Sequence, residues 1–333
     1  MKECILSLSN FYVMDQDYQV LRNINLKLKS GETLAILGQD GSGTSAFING
    51  LTGKSLALGQ LFYKSKLVDF TLNNLRRHKI EIITDKPKLM ENMSVSENLF
   101  LGTSRQKNLP IFYSNKKIAK ISEIILEKYN LNLNPRTKVK ELTLEEKKNL
   151  AFVRAFSCGA NVVILYEPSE NISLTSLRNL HSMIKMHKSE GKSVIYITKQ
   201  WEDALRIADR IAILNEGEIT EILSSNEVRN NPKNLIYKVL GINTSDTESN
   251  VTENQFIESV FEAVECLTSE YELNDLLNLL AENAAKAMKS DACEISLIDE
   301  ETYVVIDKSI YKRNNSIEFI SNEAEILKLI DEE

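Results

Sequence analysis

A glycine-rich segment of the chain has the spacing of a phosphate-binding loop: Gly38-Gln-Asp-Gly41-Ser42-Gly43-Thr44-Ser45. Glycines in such a loop let successive backbone N–H groups converge on phosphate oxygens at the start of a helix, where the helix dipole also favours an anion. The residues placed to make these contacts are Gly38, Gly41, Ser42, Gly43, Thr44 and Ser45. The segment therefore predicts a site for a phosphorylated ligand.

One position of this loop departs from the usual pattern G-x-x-x-x-G-K-[ST], because Thr44 stands in place of the lysine. A threonine hydroxyl cannot neutralise the charge of the β- and γ-phosphates as a lysine does. Ser45 keeps the hydroxyl that such loops offer to Mg²⁺, so it is a weak candidate for a metal ligand. We expect a loop that keeps its phosphate-binding backbone and has lost its main catalytic charge. A glycine turn in an unrelated α/β protein is the alternative.

The elements that must hold this loop are visible in the hydrophobic pattern. Residues 24–29 alternate as a half-buried strand, and residues 33–37 form a continuous apolar run typical of a strand buried on both faces. Three further apolar runs, each beside a helix-like stretch, follow at residues 80–84, 162–165 and 194–197. This alternation predicts an α/β fold with a mostly parallel sheet.

Other motifs follow the loop in a characteristic order. Leu142-Thr-Leu-Glu145-Glu precedes a predicted helix over residues 149–156, and an apolar run then ends in Tyr166-Glu167-Pro168-Ser169. Residues 93–102 and 208–217 carry two more segments of the same pattern. Residues 3–242 therefore resemble an ATP-binding cassette (ABC) of the sugar-importer branch. The resemblance implies a P-loop NTPase domain that binds ATP or ADP, works as a homo- or heterodimer and contacts a membrane permease subunit.

The chain departs from the family pattern where the chemistry lies. The altered positions are Thr44 for lysine, Asp85 for glutamine, Glu145 for the signature glycine, Tyr166 for the magnesium-directing aspartate and Lys199 for the switch histidine. Glu167, which matches the family's water-activating base, is retained. A neutral phenol holds a metal poorly, and the added carboxylate of Glu145 repels the γ-phosphate of a partner's nucleotide. We expect poor Mg²⁺ binding, an inactive Glu167, and hydrolysis that is lost or very weak.

Whether ATP or ADP still binds is left open by the sequence. The family stacks an aromatic side chain on adenine, and Phe11 or Tyr12 lies in about the right region, although packing at a sheet edge explains either residue equally well. Asp40 adds negative charge beside the phosphate loop. Lys199 is either a compensating cation or a solvated lysine at a strand end.

The last part of the chain predicts a second domain. Apolar residues between Phe256 and Leu280 recur at helical spacing, residues 292–299 alternate as a strand, and residues 303–306 are a candidate hairpin partner. This order resembles the start of an α+β GAF sensor domain, with a helical dimerisation hairpin as the alternative. The predicted boundaries are an ABC-type domain over residues 1–243, a polar linker over 244–253 and a partial GAF-like domain over 254–333.

Composition narrows the class of function. The 333 residues, 43% of them hydrophobic, suffice for two cores. The formal net charge of −7 argues against a nucleic-acid-binding surface. The four scattered cysteines and the absence of an apolar run of about 18 residues predict a cytoplasmic protein, peripheral at the inner face of the cell membrane if it docks on a permease.

These features predict a catalytically impaired ABC-type ATP-binding protein. Its role would be regulatory or partner-binding and linked to sugar uptake or sensing, with a permease subunit or a signalling protein as partner. Two alternatives stay open. One is a working ATP-hydrolysing subunit of a sugar importer, and the other is the input region of a larger signalling protein such as a sensor histidine kinase.

Overall fold

The computed structural model describes residues 3–15, 18–101, 115–230, 235, 238, 273–288, 290–298 and 305–313. The chain divides into two units, Met1–Ile242 and Asn243–Glu333. The predicted linker over residues 244–253 and the helical pattern that precedes residue 273 lie outside the described residues.

The first unit contains strands and helices in alternation. Its strands are β1 (Cys4–Asp15), β2 (Tyr18–Lys29), β3 (Thr33–Leu37), β4 (Leu56–Tyr63), β5 (Lys66–Val68), β6 (Ile80–Ile83), β7 (Val162–Tyr166), β8 (Ser193–Thr198), β9 (Arg210–Asn215) and β10 (Glu218–Ser224). Its helices are α1 (Thr44–Thr52), α2 (Leu72–Arg77), α3 (Val95–Phe100), α4 (Asn115–Lys128), α5 (Leu144–Ser157), α6 (Leu174–Ser189), α7 (Trp201–Ile207) and α8 (Ser225–Asn230).

A six-stranded sheet with the order β10-β9-β3-β8-β7-β6 forms the centre of this unit. Strand β3 pairs in parallel with both β8 and β9, and β7 pairs in parallel with β6 and β8. Only the edge strand β10 pairs antiparallel to its neighbour among these described strands. The predicted α/β fold with a mostly parallel sheet is therefore confirmed for this unit.

Both faces of the central sheet are covered, as the continuous apolar runs predict. All residues of β3 and β8 are buried. On one face, Ile195 and Ile197 pack in the same core as Phe47 of α1. On the other face, Val194 and Tyr196 pack with residues of α5 and α6. This sandwich holds the carboxyl ends of β3, β7 and β8 side by side, next to the start of α1.

A smaller antiparallel sheet, with the order β2-β1-β4-β5, lies on the outer side of α1. The two elements approach closely at Gly50 of α1. A Cβ atom at that position would lie 2.5 Å from Cγ2 of Val13 and 2.9 Å from Cζ of Phe11. Helix α1 is therefore held between the two sheets, which fixes where the segment before it runs.

The helix predicted over residues 149–156 begins earlier, at Leu144. Thr143 caps it: the Glu146 N–H donates to the Thr143 hydroxyl at 3.2 Å, and the Thr143 N–H donates to the Glu146 carboxylate at 2.8 Å. This reciprocal pair satisfies backbone donors that a helix start otherwise leaves free, so the first turn is stable despite its polar residues. The predicted start was wrong because the cap was not recognised.

The second unit contains α9 (Leu273–Ala287) and an antiparallel pair, β11 (Ala292–Ile298) and β12 (Val305–Lys312). The pairing runs from Ala292 opposite Lys312 to Ile298 opposite Val305, so the predicted hairpin is confirmed and its second strand is longer than predicted. The Ser309 hydroxyl donates to the Asn278 side chain at 2.6 Å and ties α9 to the hairpin. The GAF-like assignment stays a prediction. Within the described part of both units, no helix is long and apolar enough to cross a membrane.

Candidate functional site

The glycine-rich segment forms a tight loop between β3 and α1. Gly41 and Gly43 have φ values of +86° and +106°, a backbone region that side chains disfavour. At Gly43 a Cβ atom would lie 2.6 Å from Cδ2 of Leu21, and at Gly38 it would lie 2.4 Å from the Ser42 hydroxyl oxygen. These glycines are therefore required by the shape of the loop itself.

Neighbouring strands hold the loop in place. The Gly38 N–H donates to the carbonyl of Thr198 at 3.3 Å, and the Ser42 carbonyl accepts from the Gly217 N–H at 2.9 Å. The Ser42 hydroxyl is buried and has no hydrogen-bond partner among the described residues. An unsatisfied buried hydroxyl inside a glycine cradle fits an anionic acceptor such as a phosphate oxygen.

Two of the altered positions lie close together in the fold. Thr44 is the first residue of α1 and Tyr166 is the last residue of β7, and Thr44 is near enough to affect the titration of the Tyr166 phenol. Tyr166 is half-buried, and this burial raises the pKa of its phenol. The phenol is therefore neutral at physiological pH. A neutral pair occupies the place where the family resemblance puts a lysine and a carboxylate.

The surroundings do not fit a magnesium ion. Ser45 is exposed on the first turn of α1 and remains a hydroxyl candidate. Asp85 is half-buried after β6, close enough to Tyr166 to affect its titration. Throughout the described part of the chain, no three His, Cys, Asp or Glu side chains group as a metal site. Because Mg²⁺ prefers carboxylate and phosphate oxygens in octahedral geometry, the residues present offer it little.

Glu167, the retained acid, is 5% exposed and has a φ of +43°. Its carboxylate accepts a hydrogen bond from the Thr198 hydroxyl at 3.4 Å and lies near the Lys199 N–H. Burial raises the pKa of Glu167 to about 7, and these two donor groups oppose the rise. The group is therefore close to half-protonated at neutral pH, which suits proton transfer.

Lys148 is a site residue that the sequence analysis missed. It is 4% exposed on α5, and its Nζ donates to the carbonyl oxygens of Glu167 at 3.1 Å and Glu170 at 2.5 Å. Burial lowers the pKa of the Lys148 ammonium, and the charge of Glu170 opposes that shift. A sequence signal existed, because Lys148 shares a helical face with the buried Phe152 and Ala155.

Lys199, the residue after β8, connects the phosphate loop to the segment that follows β7. Its Nζ lies 3.7 Å from Oδ1 of Asp40 and 3.2 Å from Oε1 of Glu170. Its carbonyl accepts from Nε2 of Gln39 at 3.4 Å, and its N–H lies near the Glu167 carboxylate. The structure therefore brings Lys199, Glu167 and the loop together at one edge of the sheet.

Glu145 contacts its own chain. Its carboxylate accepts from the Ser173 N–H at 2.9 Å and from the Ser173 hydroxyl at 2.6 Å. Ser173 is the N-cap of α6, and its hydrogen bonds lower the pKa of Glu145. The first residues of the two joined helices, Leu144 and Leu174, are 82% and 71% exposed. The carboxylate thus joins the starts of α5 and α6 beside two exposed leucines.

Known proteins with a similar sequence or fold agree with the arrangement of the phosphate loop and the central sheet. Residues 21–170 match the family model described as ABC transporter. This match covers just under half of the chain, and over it the chain is similar to an ABC transporter ATPase domain. A solved dimeric ATP-binding cassette in a post-hydrolysis state, bound to ADP and Pi, has the same fold as this domain: the TM-score is 0.58 at 20% identity, over 66% of this chain and 99% of that one.

The ABC domain is also similar to curated import proteins. The ribose import ATP-binding protein RbsA of Jannaschia sp. (strain CCS1) is 30% identical over 202 residues, which are 60% of this chain and 39% of RbsA. The chain therefore spans well under half of that relative. The spermidine/putrescine import ATP-binding protein PotA of Borreliella afzelii (strain PKo) is 27% identical over 291 residues, 84% of this chain and 80% of PotA. That match is longer than the first unit, so it includes part of the second.

Tyr12 does not join the other site residues of the ABC domain. Phe11 and Val13, its neighbours on β1, face Gly50 of α1. Because successive side chains of a strand point to opposite faces, Tyr12 lies on the outer face of the antiparallel sheet, where it pairs with Leu58. Phe11 is fully buried. Neither aromatic residue lies over the phosphate loop.

Tyr18 is a further exposed aromatic residue that the sequence analysis passed over. It begins β2, is 78% exposed, and stands three residues before Leu21, whose side chain borders Gly43. No sequence signal singled it out, because the first predicted strand begins only at residue 24.

Proposed function

We propose that this chain is a catalytically impaired ABC-type ATP-binding protein with a regulatory or partner-binding role linked to sugar uptake or sensing. The observation that carries the proposal is that Thr44 and Tyr166 lie close together at the phosphate loop. Two charges expected from the resemblance are replaced at one spot by neutral groups. The link to sugar rests on the likeness to RbsA.

Loss of hydrolysis follows from the size of the missing electrostatic contributions. Removing one preorganised charge that stabilises a transition state commonly costs about a hundredfold or more in rate. Here Thr44, Tyr166, Glu145 and Lys199 all differ from the family pattern. Such losses are not additive, yet Glu167 alone cannot replace charges that act on the phosphates directly.

Nucleotide binding by the loop backbone is a separate part of the proposal. The glycine cradle and the unsatisfied Ser42 hydroxyl favour ATP or ADP as ligand. When bound, Mg²⁺ would supply charge neutralisation of the phosphates, but Ser45 is the main ligand that this site offers it. Tyr18 is the better candidate than Tyr12 for stacking on the base.

The proposed partners are a membrane permease subunit or a signalling protein, with assembly as a homo- or heterodimer at the inner face of the cell membrane. The similarity to import ATP-binding proteins favours the permease. The exposed pair Leu144 and Leu174 favours a protein contact at the starts of α5 and α6. We propose residues 254–333 as a GAF-like regulatory unit that follows a linker over residues 244–253.

A second candidate function is that of a working importer ATPase. The observation that favours it is Glu167, a buried acid whose pKa of about 7 suits a general base. Hydrolysis would then depend on Glu167 and on a cation other than the missing loop lysine.

Phosphate release from ATP by the full chain, with and without Mg²⁺, decides between the two. We expect no release above that of Glu167→Gln, the matched control. The double variant Thr44→Lys/Tyr166→Asp should gain Mg²⁺-dependent release, because it restores the lysine and the metal-directing carboxylate together. Mg²⁺-dependent turnover by the unmodified chain that disappears in Glu167→Gln would refute the impaired role and establish the ATPase.

A further inference from the structure

A lysine reaches the phosphate loop from a different strand. Lys199 follows β8, and its Nζ lies 3.7 Å from Oδ1 of Asp40, a residue within the loop. The carbonyl of Lys199 accepts a hydrogen bond from the Gln39 side chain, and its N–H lies near enough to Glu167 to affect the titration of that carboxyl group. The backbone of Lys199 is held beside the loop. Its ammonium group therefore stays within one side-chain length of the loop.

The ammonium group of Lys199 has two anionic partners, and the more distant one is replaceable. Glu170, at 3.2 Å, occupies one side of the ammonium group, which has further hydrogens to donate to a second anion. The side chain of Asp40 is 91% exposed and that of Lys199 is 36% exposed, so their ion pair is well solvated and weak. A nucleotide phosphate carries more charge than one carboxylate and forms stronger charge-assisted hydrogen bonds. A phosphate seated on the loop would therefore displace Asp40 from Lys199.

The other side of the loop offers no comparable charge. Thr44 and Tyr166 form a neutral pair there. The buried ammonium group of Lys148 is bound to two backbone carbonyls, which holds it away from a ligand. Acid clusters that could hold a metal are absent from the described ranges.

We propose that Lys199 is the phosphate-binding cation of this site, and that the terminal phosphates of a nucleoside di- or triphosphate bind between it and the loop without Mg²⁺. The inference rests on the proposed function, since it requires the loop to hold a nucleotide. A lysine fits this role because its ammonium is a compact charge that donates three hydrogen bonds.

Isothermal titration of the full chain with ATP and with ADP, in EDTA and in Mg²⁺, tests the proposal. We expect affinities in the two conditions to agree within about threefold, because the site lacks metal ligands. Lys199→Gln should weaken binding in EDTA by about tenfold or more, since a charge-assisted contact is lost. Lys199→Arg should retain most of the affinity, and Asp40→Asn should increase it by about twofold or more because a competing anion is removed.

Lys192→Gln is the matched control. Lys192 stands at the opposite end of the same strand, just before β8, and is also paired, with Glu190 at 2.5 Å. The Lys192→Gln variant should leave nucleotide affinity unchanged. Circular dichroism checks that each variant is folded. The proposal is overturned if Lys199→Gln binds ATP in EDTA as well as the unmodified chain, if binding requires Mg²⁺, or if neither nucleotide binds. None of these three binding results would contradict the proposed loss of hydrolysis. Mg²⁺-dependent turnover would contradict that loss, but it would not test whether Lys199 binds the phosphates.

Discussion

At the residue scale, we expect Thr44 and Tyr166 to act as a unit because they lie close together at the same loop. A lysine introduced at position 44 alone would meet a neutral phenol, and an aspartate introduced at position 166 alone would face a threonine. Neither change by itself rebuilds a charged pair around the phosphates. The effects of the two substitutions should therefore be strongly non-additive.

This coupling gives a direct prediction for metal-dependent binding. The single variants Thr44→Lys and Tyr166→Asp should each change the ratio of ATP affinities with and without Mg²⁺ by less than about threefold, whereas the double variant should raise it by about tenfold or more. Titration calorimetry of the three variants measures this. Equal gains in the single variants and no extra gain in the double variant would show that the two positions are independent.

A pH dependence of stability is expected from Glu167. Its pKa is raised from 4.5 to about 7, so the folded state holds a proton that the unfolded state releases. The contribution of Glu167 to stability should fall as the pH rises through the window from about 4.5 to 7 and stay constant above it. The difference in free energy of unfolding between the unmodified chain and Glu167→Gln, measured by denaturant unfolding across this range, should follow that slope. A variant with the same slope as the unmodified chain would rule out Glu167 as its cause.

His187 should produce a slope of the opposite sign. It is 3% exposed on α6, its ring meets Phe156 at 5.1 Å between centroids, and burial lowers its pKa from 6.5 to about 4. The unfolded state therefore takes up a proton that the folded state rejects, and stability is lost as the pH falls from about 6.5 to 4. Because this effect offsets that of Glu167, the Glu167→Gln variant should show a steeper loss of stability in acid, and His187→Phe a shallower one.

At the element scale, the bond between Glu145 and Ser173 joins the first turns of α5 and α6. Glu145→Gly should lower the free energy of unfolding by about 1–2 kcal/mol, through glycine in a helical turn and the lost hydrogen bonds. Leu144→Gly, in the same turn without that bond, isolates the cost of glycine. Equal losses in chemical denaturation would show that the carboxylate contributes nothing to stability.

The strands of the central sheet were predictable from sequence because continuous apolar runs in such a chain indicate strands that are buried on both faces. The start of α5 was predictable as well, because Thr143 and Glu146 have the spacing of a capping box, but the apolar pattern alone does not contain that signal. The direction of Tyr12 depends on which face of β1 meets α1, which no local pattern determines. The contacts of Lys148 and Lys199 join segments distant in the chain, so only the folded structure reveals them.

At the scale of the whole molecule, the proposed dimer gives a further prediction. Leu144 and Leu174 are exposed side chains on helix starts that Glu145 and Ser173 hold together. Leu174→Glu should shift the full chain toward the monomer in analytical ultracentrifugation, because a charge replaces an apolar contact. Leu67→Glu, at a position 60% exposed on β5, is the control and should have no effect. Equal behaviour of the two variants would place the contact elsewhere.

The pair formed by Thr44 and Tyr166 also bears on how such a chain evolves. Under the proposed loss of hydrolysis, a single mutation back toward the family residue at either position would produce an unmatched group and restore no turnover. Selection for turnover would then have no favourable first step. A lineage that had acquired both residues would keep them, and its role would be one that needs no chemical step.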